Sequence, residues 1–235
     1  MTEPRLPRLS AEGFNDLAMC RHGPMLYNRN DRYIGASLRK YGEFSPGESE
    51  MFRQIVPAGA TVVEGGANIG VHTVELSRLV GPEGRVIAFE PQRIVFQALC
   101  ANLALNSCVN VHAFQAGIGE APGEISVPFL PPDQAFNFGA LSLIGTTAGE
   151  ATPVRTIDEL ALTACHVIKL DIEGMEVEAL AGGAQTIAAH RPLLYIENDR
   201  QARSEELLTL LMSCNYRLYW RNRGRFPCGS IRRRF

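Results

Sequence analysis

From residue 60 onward, short apolar runs alternate with longer stretches whose apolar residues recur every three or four positions. The runs over 61–64, 85–90 (RVIAFE), 109–115, 167–171, 193–197 (LLYIE) and 216–220 read as six strands. Helices are predicted between them over about 71–80, 94–106, 175–189 and 203–214. Phe96, Leu99 and Leu103 share one face of the second; Val177, Leu180, Ala184 and Ile187 share one face of the third. Gly81-Pro82 closes the first helix, and Pro91 stops the second strand. A shorter helix is expected over 156–162.

Strands this apolar are not half-exposed, and each is separated from the next by a helix. That pattern predicts an α/β fold, Rossmann-like, with a mostly parallel sheet covered by helices on both faces. The regular core runs over 58–220 and forms one domain. Residues 1–57 are irregular, rich in Arg, Pro, Gly and Asn, and read as a cap or lid with one short helix over 46–55. Ser45 would be its N-cap and Pro46 its first residue. Residues 117–155 break the alternation and read as an insertion of hairpin or loop character. Residues 221–235 form an arginine-rich tail. In such folds ligands bind at the carboxyl ends of the strands. The residues at and after Glu64, Glu90, Gln115, Asp171 and Glu197 should therefore meet in one crevice.

Composition narrows the function. With 23 basic and 25 acidic residues, the chain has no global positive field to hold nucleic acid or an anionic membrane. No apolar run reaches the roughly 20 residues that span a bilayer, and residues 1–9 lack the apolar segment of a secretory signal. The six cysteines form no C-x-x-C pair and read as reduced, mostly buried thiols. The expectation is a cytoplasmic protein with a small-molecule partner, no membrane partner and no nucleic-acid partner; a homo-oligomer stays open.

Glu64-Gly65-Gly66-Ala67-Asn68-Ile69-Gly70 lies at a strand-to-helix turn. It is not the dinucleotide fingerprint, because Asn68 and Val71 stand where that pattern needs glycine. An acid before the glycines suits a ligand with an amino or cationic group, whereas a pyrophosphate prefers bare backbone amides. Glu90, ending the next strand, is placed to accept both hydroxyls of a ribose. Together they describe S-adenosylmethionine better than a nicotinamide dinucleotide. Further on, Asp171 and Glu173 stand two apart before Gly174. They could stabilise a sulfonium, take a proton or bind a metal. His72, directly after the glycine turn, is a candidate general base. The segment Tyr41-Gly42-Glu43-Phe44 is expected to close over the cofactor through Tyr41 and Glu43, and Gln115-Ala116 to complete its wall. Phe136-Asn137-Phe138 is a candidate lining of an acceptor pocket.

The segments VVEGGANIG (62–70), AFEP (88–91), VRTIDEL (154–160), IKLDIEGME (168–176) and RPLLYIE (191–197) resemble the FkbM family of S-adenosylmethionine-dependent methyltransferases. The resemblance spans roughly 40–220. It implies a class I methyltransferase sheet whose last strand runs antiparallel, and methyl transfer to hydroxyl groups of secondary metabolites or sugars. Carried over by position, Glu64, Gly66, Asn68 and Gly70 would hold the methionine part, and Glu90 the ribose. Many members have Asp where Glu64 stands. Asp171 with Glu197-Asn198 is also similar to the metal ligands of catechol-type O-methyltransferases, which implies a Mg²⁺ site. The lysine those enzymes place three residues after the metal aspartate is Gly174 here. Competing readings are an N-methyltransferase or nucleic-acid methyltransferase of the same fold, and a non-catalytic S-adenosylmethionine-binding protein.

Overall fold

The computed structural model describes residues 13–220. Residues 1–9, the arginine-rich tail and Cys228 lie outside the described residues. The chain begins with a hairpin of β1 (Asn15–Cys20) and β2 (Gly23–Asn28), followed by α1 (Ile34–Tyr41) and α2 (Pro46–Ile55). The core alternates as β3 (Thr61–Gly65), α3 (Val71–Val80), β4 (Arg85–Phe89), α4 (Arg93–Leu105) and β5 (Val111–Phe114). The insertion holds β6 (Gly117–Ile118), β7 (Gly123–Val127) and β8 (Glu150–Arg155). The core then resumes with β9 (Val167–Leu170), α5 (Glu176–Ala181), α6 (Ala184–His190), β10 (Leu193–Ile196) and α7 (Gln201–Ser213).

The central sheet has the order β10-β9-β3-β4-β5, and every pair in it is parallel. Strand side chains alternate between two buried faces. Val62, Val86 and Val167 pack against α2 and α3, while Val63, Ile87, Ile168 and Leu170 pack against α5, α6 and α7. Both faces are thus covered, as uniformly apolar strands require. The chain runs from β3 outward to β5, then returns to lay β9 on the other side of β3. The order reverses between β3 and β9, and there the strand ends splay apart to leave a crevice.

Several expectations are corrected. The first segment is not irregular: its hairpin docks on α4 through the buried side chain of Asn102. That amide accepts from the Leu26 N–H at 2.6 Å and donates to the carbonyls of Leu26 (2.9 Å) and Ile69 (2.7 Å). Its polar atoms are satisfied only in the folded chain, so the hairpin's partner is not legible locally. The helix expected over 175–189 is broken at Gly182-Gly183, where a Cβ on Gly182 would lie 2.0 Å from the Gly119 carbonyl oxygen. Asp158 restarts it by accepting the backbone N–H groups of Gln185 and Thr186 at 3.0 and 2.8 Å. The helix expected over 156–162 is a single 3₁₀ turn, Asp158–Leu160, closed by a reciprocal Thr156–Glu159 capping box. The VRTIDEL motif therefore has a structural role. Residues 216–220 are not a strand, so the antiparallel last strand is absent from the described residues; Tyr216 instead bonds the Pro192 carbonyl and stacks under Arg191. The described cysteines are free, but of these only Cys165 is buried. No described helix is long and apolar enough to cross a membrane.

Candidate active site

A cavity of about 280 Å³ opens at the carboxyl ends of β3, β4 and β9. It lies near the lower end of the roughly 300–1,000 Å³ usual for small-molecule sites. One wall is the turn after β3, with Gly66, Ala67 and Asn68; the next is Glu90-Pro91-Gln92 after β4. Ala116, Gly117 and Ile118 form the third, and Lys169, Asp171, Ile172 and Glu173 the fourth. Glu197, Asp199 and Arg200 follow β10, while Tyr33, Phe44 and Asn137 come from the cap and the insertion.

The turn is built on a close approach. Gly66 has φ +72°, and a Cβ there would sit 1.8 Å from the Asp171 carbonyl oxygen. No other residue lets β3 leave the sheet beside β9. Asn68 also adopts a left-handed φ of 51°, and its backbone N–H donates to Glu90 Oε2 at 3.0 Å. Gln92 N–H donates to Glu90 Oε1 at 2.9 Å. Glu90 is 3% exposed, and burial pushes its carboxyl up to about 7 against these two hydrogen bonds.

Glu64 does not reach the cavity. It is 0% exposed beneath the turn, where Oε2 accepts from Thr73 Oγ1 at 2.7 Å and Oε1 lies 3.4 Å from Lys169 Nζ. Register explains the pair: Glu64 and Lys169 are direct neighbours across β3 and β9. Lys169 also donates to the Gly66 carbonyl at 3.1 Å, and it lines the cavity. Burial pushes its ammonium pKa down, but Glu64, Asp171 and Glu48 outweigh this and raise it. Lys169 was missed by sequence reasoning; the available signal was a charge inside an otherwise apolar strand, which demands a partner.

Other predicted residues are also displaced. Tyr41 is 65% exposed beneath Lys40, and Glu43 pairs with Arg21 at 2.6 Å; Phe44 takes their expected place on the wall. Gln115 and Gly70 do not line the cavity, whereas Ala116 does; Gly70 starts α3 with its Cα against Leu99. Phe138 is buried in the core; of residues 136–138 Asn137 alone lines the cavity, and Gly139, Ala140 and Leu141 continue the wall. Asn198 bonds Ser204 Oγ at 2.9 Å. The acidic cluster is instead Asp171, Glu173 and Glu197, with one oxygen of each within 4.8 Å of the others. Glu173 has φ 58° and is paired with Arg200. Burial pushes the Glu173 carboxyl up to about 7; Arg200 opposes this, and Asp171 reinforces it. Glu176, by contrast, ties the turn together by accepting the N–H of Ile172 at 3.1 Å and of Gly174 at 3.3 Å. His72 lines the cavity and is 7% exposed.

A parallel sheet of this order, with its crevice where the order reverses, is the Rossmann-like arrangement that class I methyltransferases share with other nucleotide-binding folds. A family model described as the methyltransferase FkbM domain matches residues 64–218, and the chain belongs to that family. It is 32% identical over 77 residues to methyltransferase sdnD of Sordaria araneosa, covering 32% of this chain and 29% of the relative. It is 25% identical over 150 residues to methyltransferase 1 of Beauveria bassiana, covering 54% and 59%. The crystal structure of an FkbM methyltransferase from Methylobacillus flagellatus KT superposes with a TM-score of 0.50 at 24% identity. That match covers 72% of this chain and 44% of the other. The chain thus spans less than two thirds of the length of each of these relatives.

Proposed function

We propose that this protein transfers the methyl group of S-adenosylmethionine to a hydroxyl of a small molecule, a secondary metabolite or a sugar. The observation that carries the reading is Glu90, a buried carboxylate on the cavity wall one strand from the glycine turn. Its two oxygens suit the two hydroxyls of a ribose. The donor set fits the rest of the cofactor: Gly66 brings backbone to the wall without side-chain bulk, Asn68 adds an amide side chain beside it, and Asp171 offers negative charge where a sulfonium would lie. When bound, the cofactor supplies an electrophilic methyl group; the protein orients the acceptor oxygen towards it and excludes water. Calorimetric titration is expected to show S-adenosylmethionine and S-adenosylhomocysteine binding, with no binding of NAD. Methyl-labelled cofactor should then label a compound in a panel of catechols, phenols, aliphatic alcohols and sugars. NAD binding without S-adenosylmethionine binding would refute the reading, and label on amines or RNA would move it to the competing acceptor classes.

A divalent cation is the second reading, favoured by the convergence of Asp171, Glu173 and Glu197. Three carboxylates suit Mg²⁺ or Mn²⁺, and a cation there would lower the pKa of a bound acceptor hydroxyl. Arg200 already supplies one positive charge to Glu173. If the metal is required, EDTA abolishes labelling of the panel compound and Mg²⁺ restores it, whereas full labelling in EDTA assigns the charge balance to Arg200 alone.

A further inference from the structure

The insertion is pinned over the cavity on both sides of one amide. Phe136 pairs with Asp31 in an isolated parallel bridge, and its carbonyl accepts the Arg32 N–H at 2.9 Å. Phe138 is buried in the core, and its carbonyl accepts from Gln92 Nε2 at 2.7 Å. Farther along, Ser142 Oγ donates to the Glu173 carbonyl at 3.1 Å. Asn137 stands between the two phenylalanines and lines the cavity; its side-chain amide enters no hydrogen bond among the described residues. His72 differs: Nε2 is turned inward, 2.9 Å from Glu48 Oε2, while Tyr195 Oη donates to the other Glu48 oxygen at 2.7 Å. Both His72 ring nitrogens are buried, so the ring offers the cavity neither, and the general-base role expected of it is not supported.

The Asn68 amide reaches the same place. A Cβ on Gly139 would lie 3.3 Å from Asn68 Nδ2 and 3.6 Å from Asn137 Oδ1, so glycine keeps the gap between the two amides open. Asn68 Oδ1 is used locally, accepting the Ile69 N–H at 2.8 Å, whereas its Nδ2 donates to no described residue. Neither amide nitrogen is a buried orphan, and both residues line the cavity. The same two neighbours of Asn137 also frame Glu90. The backbone N–H groups of Asn68 and Gln92 each donate to one Glu90 oxygen, and the Gln92 side chain holds the carbonyl next to Asn137.

We propose that Asn137 is a cofactor-binding residue, whose amide N–H donates to a ribose hydroxyl held by Glu90. This rests on the S-adenosylmethionine reading and deepens it. A hydroxyl that donates to a carboxylate keeps its own lone pairs, and these need an N–H once water is excluded. A charged Glu90 can only accept. The missing donors are amide nitrogens, one from the turn after β3 and one from the insertion, and neither adds charge beside Glu90. The segment around Asn137, expected to line an acceptor pocket, thus serves the cofactor, and the contacts at Phe136 and Phe138 hold the amide ready before the ribose arrives.

The test is calorimetric titration of the full chain, direct or by displacement, with S-adenosylhomocysteine and with its 2′-deoxy and 3′-deoxy analogues. Asn137→Ala should weaken S-adenosylhomocysteine binding roughly 3- to 10-fold, the usual net effect of one neutral hydrogen bond. For one of the two analogues the same substitution should change affinity by less than about twofold, because the contact it removes is already missing. Asn137→Leu, which keeps the bulk and lacks the N–H, should give the same pattern and serves if the alanine variant loosens the insertion. Equal weakening of all three ligands by both variants would overturn the proposal. So would unchanged S-adenosylhomocysteine affinity, and a raised KM for the methylated panel compound alongside it would return Asn137 to the acceptor. Failure of the wild type to bind S-adenosylhomocysteine would instead remove the methyltransferase reading beneath the proposal.

Discussion

Lys169→Met is expected to cost about 3–5 kcal/mol of stability, the usual result of removing one partner from a buried ion pair. Glu64 has no exposed surface, and Lys169 is only 2% exposed, so water cannot take the missing partner's place. The substitution also deprives the Gly66 carbonyl of its donor at the turn on which the cavity is built. Urea unfolding monitored by circular dichroism measures the loss. The double variant Lys169→Met with Glu64→Gln should recover a large part of it, because the buried charge is then gone and Thr73 still has an acceptor-bearing amide to bond. A loss under about 1 kcal/mol in the single variant, or no recovery in the double, would mean that the pair carries little of the turn's stability.

The second large effect concerns Glu90 and is read in cofactor binding. Its carboxyl titrates at about 7 in the folded chain because burial opposes the charged form, and only the charged form can accept from both ribose hydroxyls at once. S-adenosylhomocysteine affinity should therefore rise as pH increases from 6 to 8, with proton release near neutrality visible in calorimetry as a dependence on buffer ionisation enthalpy. Glu90→Gln should abolish the pH dependence and weaken binding roughly 10- to 100-fold, the equivalent of about 1.5–3 kcal/mol for hydrogen bonds to a charged group. The unliganded protein responds in the opposite sense. Between the ordinary glutamate value near 4.5 and the folded value near 7, the native state holds a proton that the unfolded chain has released. Stability thus falls as pH rises through that window. Glu173, also raised to about 7, contributes in the same direction, so Glu90→Gln should flatten the slope without removing it. Equal affinity at pH 6 and 8 in the wild type would contradict the assigned role.

The sequence alone determined the features that depend on local periodicity and on the ends of apolar runs. Strands that are apolar at every position specify a sheet buried on both faces, and such strands joined by helices bind ligands at their carboxyl ends. Gly66, Asn68, Glu90, Ala116, Asp171 and Glu197 could therefore be placed on one crevice from their positions alone, and the structure puts them on the cavity wall. Tertiary structure decided what depends on partners distant in the chain. A carboxylate at a strand end can point into the crevice or beneath the turn. Glu64 points beneath because the β3–β9 register sets Lys169 next to it, and register between strands 100 residues apart leaves no local trace. Tyr41 and Glu43 gave way to Phe44 for a similar reason: the pairing of Glu43 with Arg21 turns the segment by means of a hairpin whose docking depends on Asn102. Glu48 and Tyr195 are unremarkable in their own segments. They meet at His72 only because α2 packs on the face of the sheet onto which β10 projects Tyr195, and packing of that kind is a property of the folded chain.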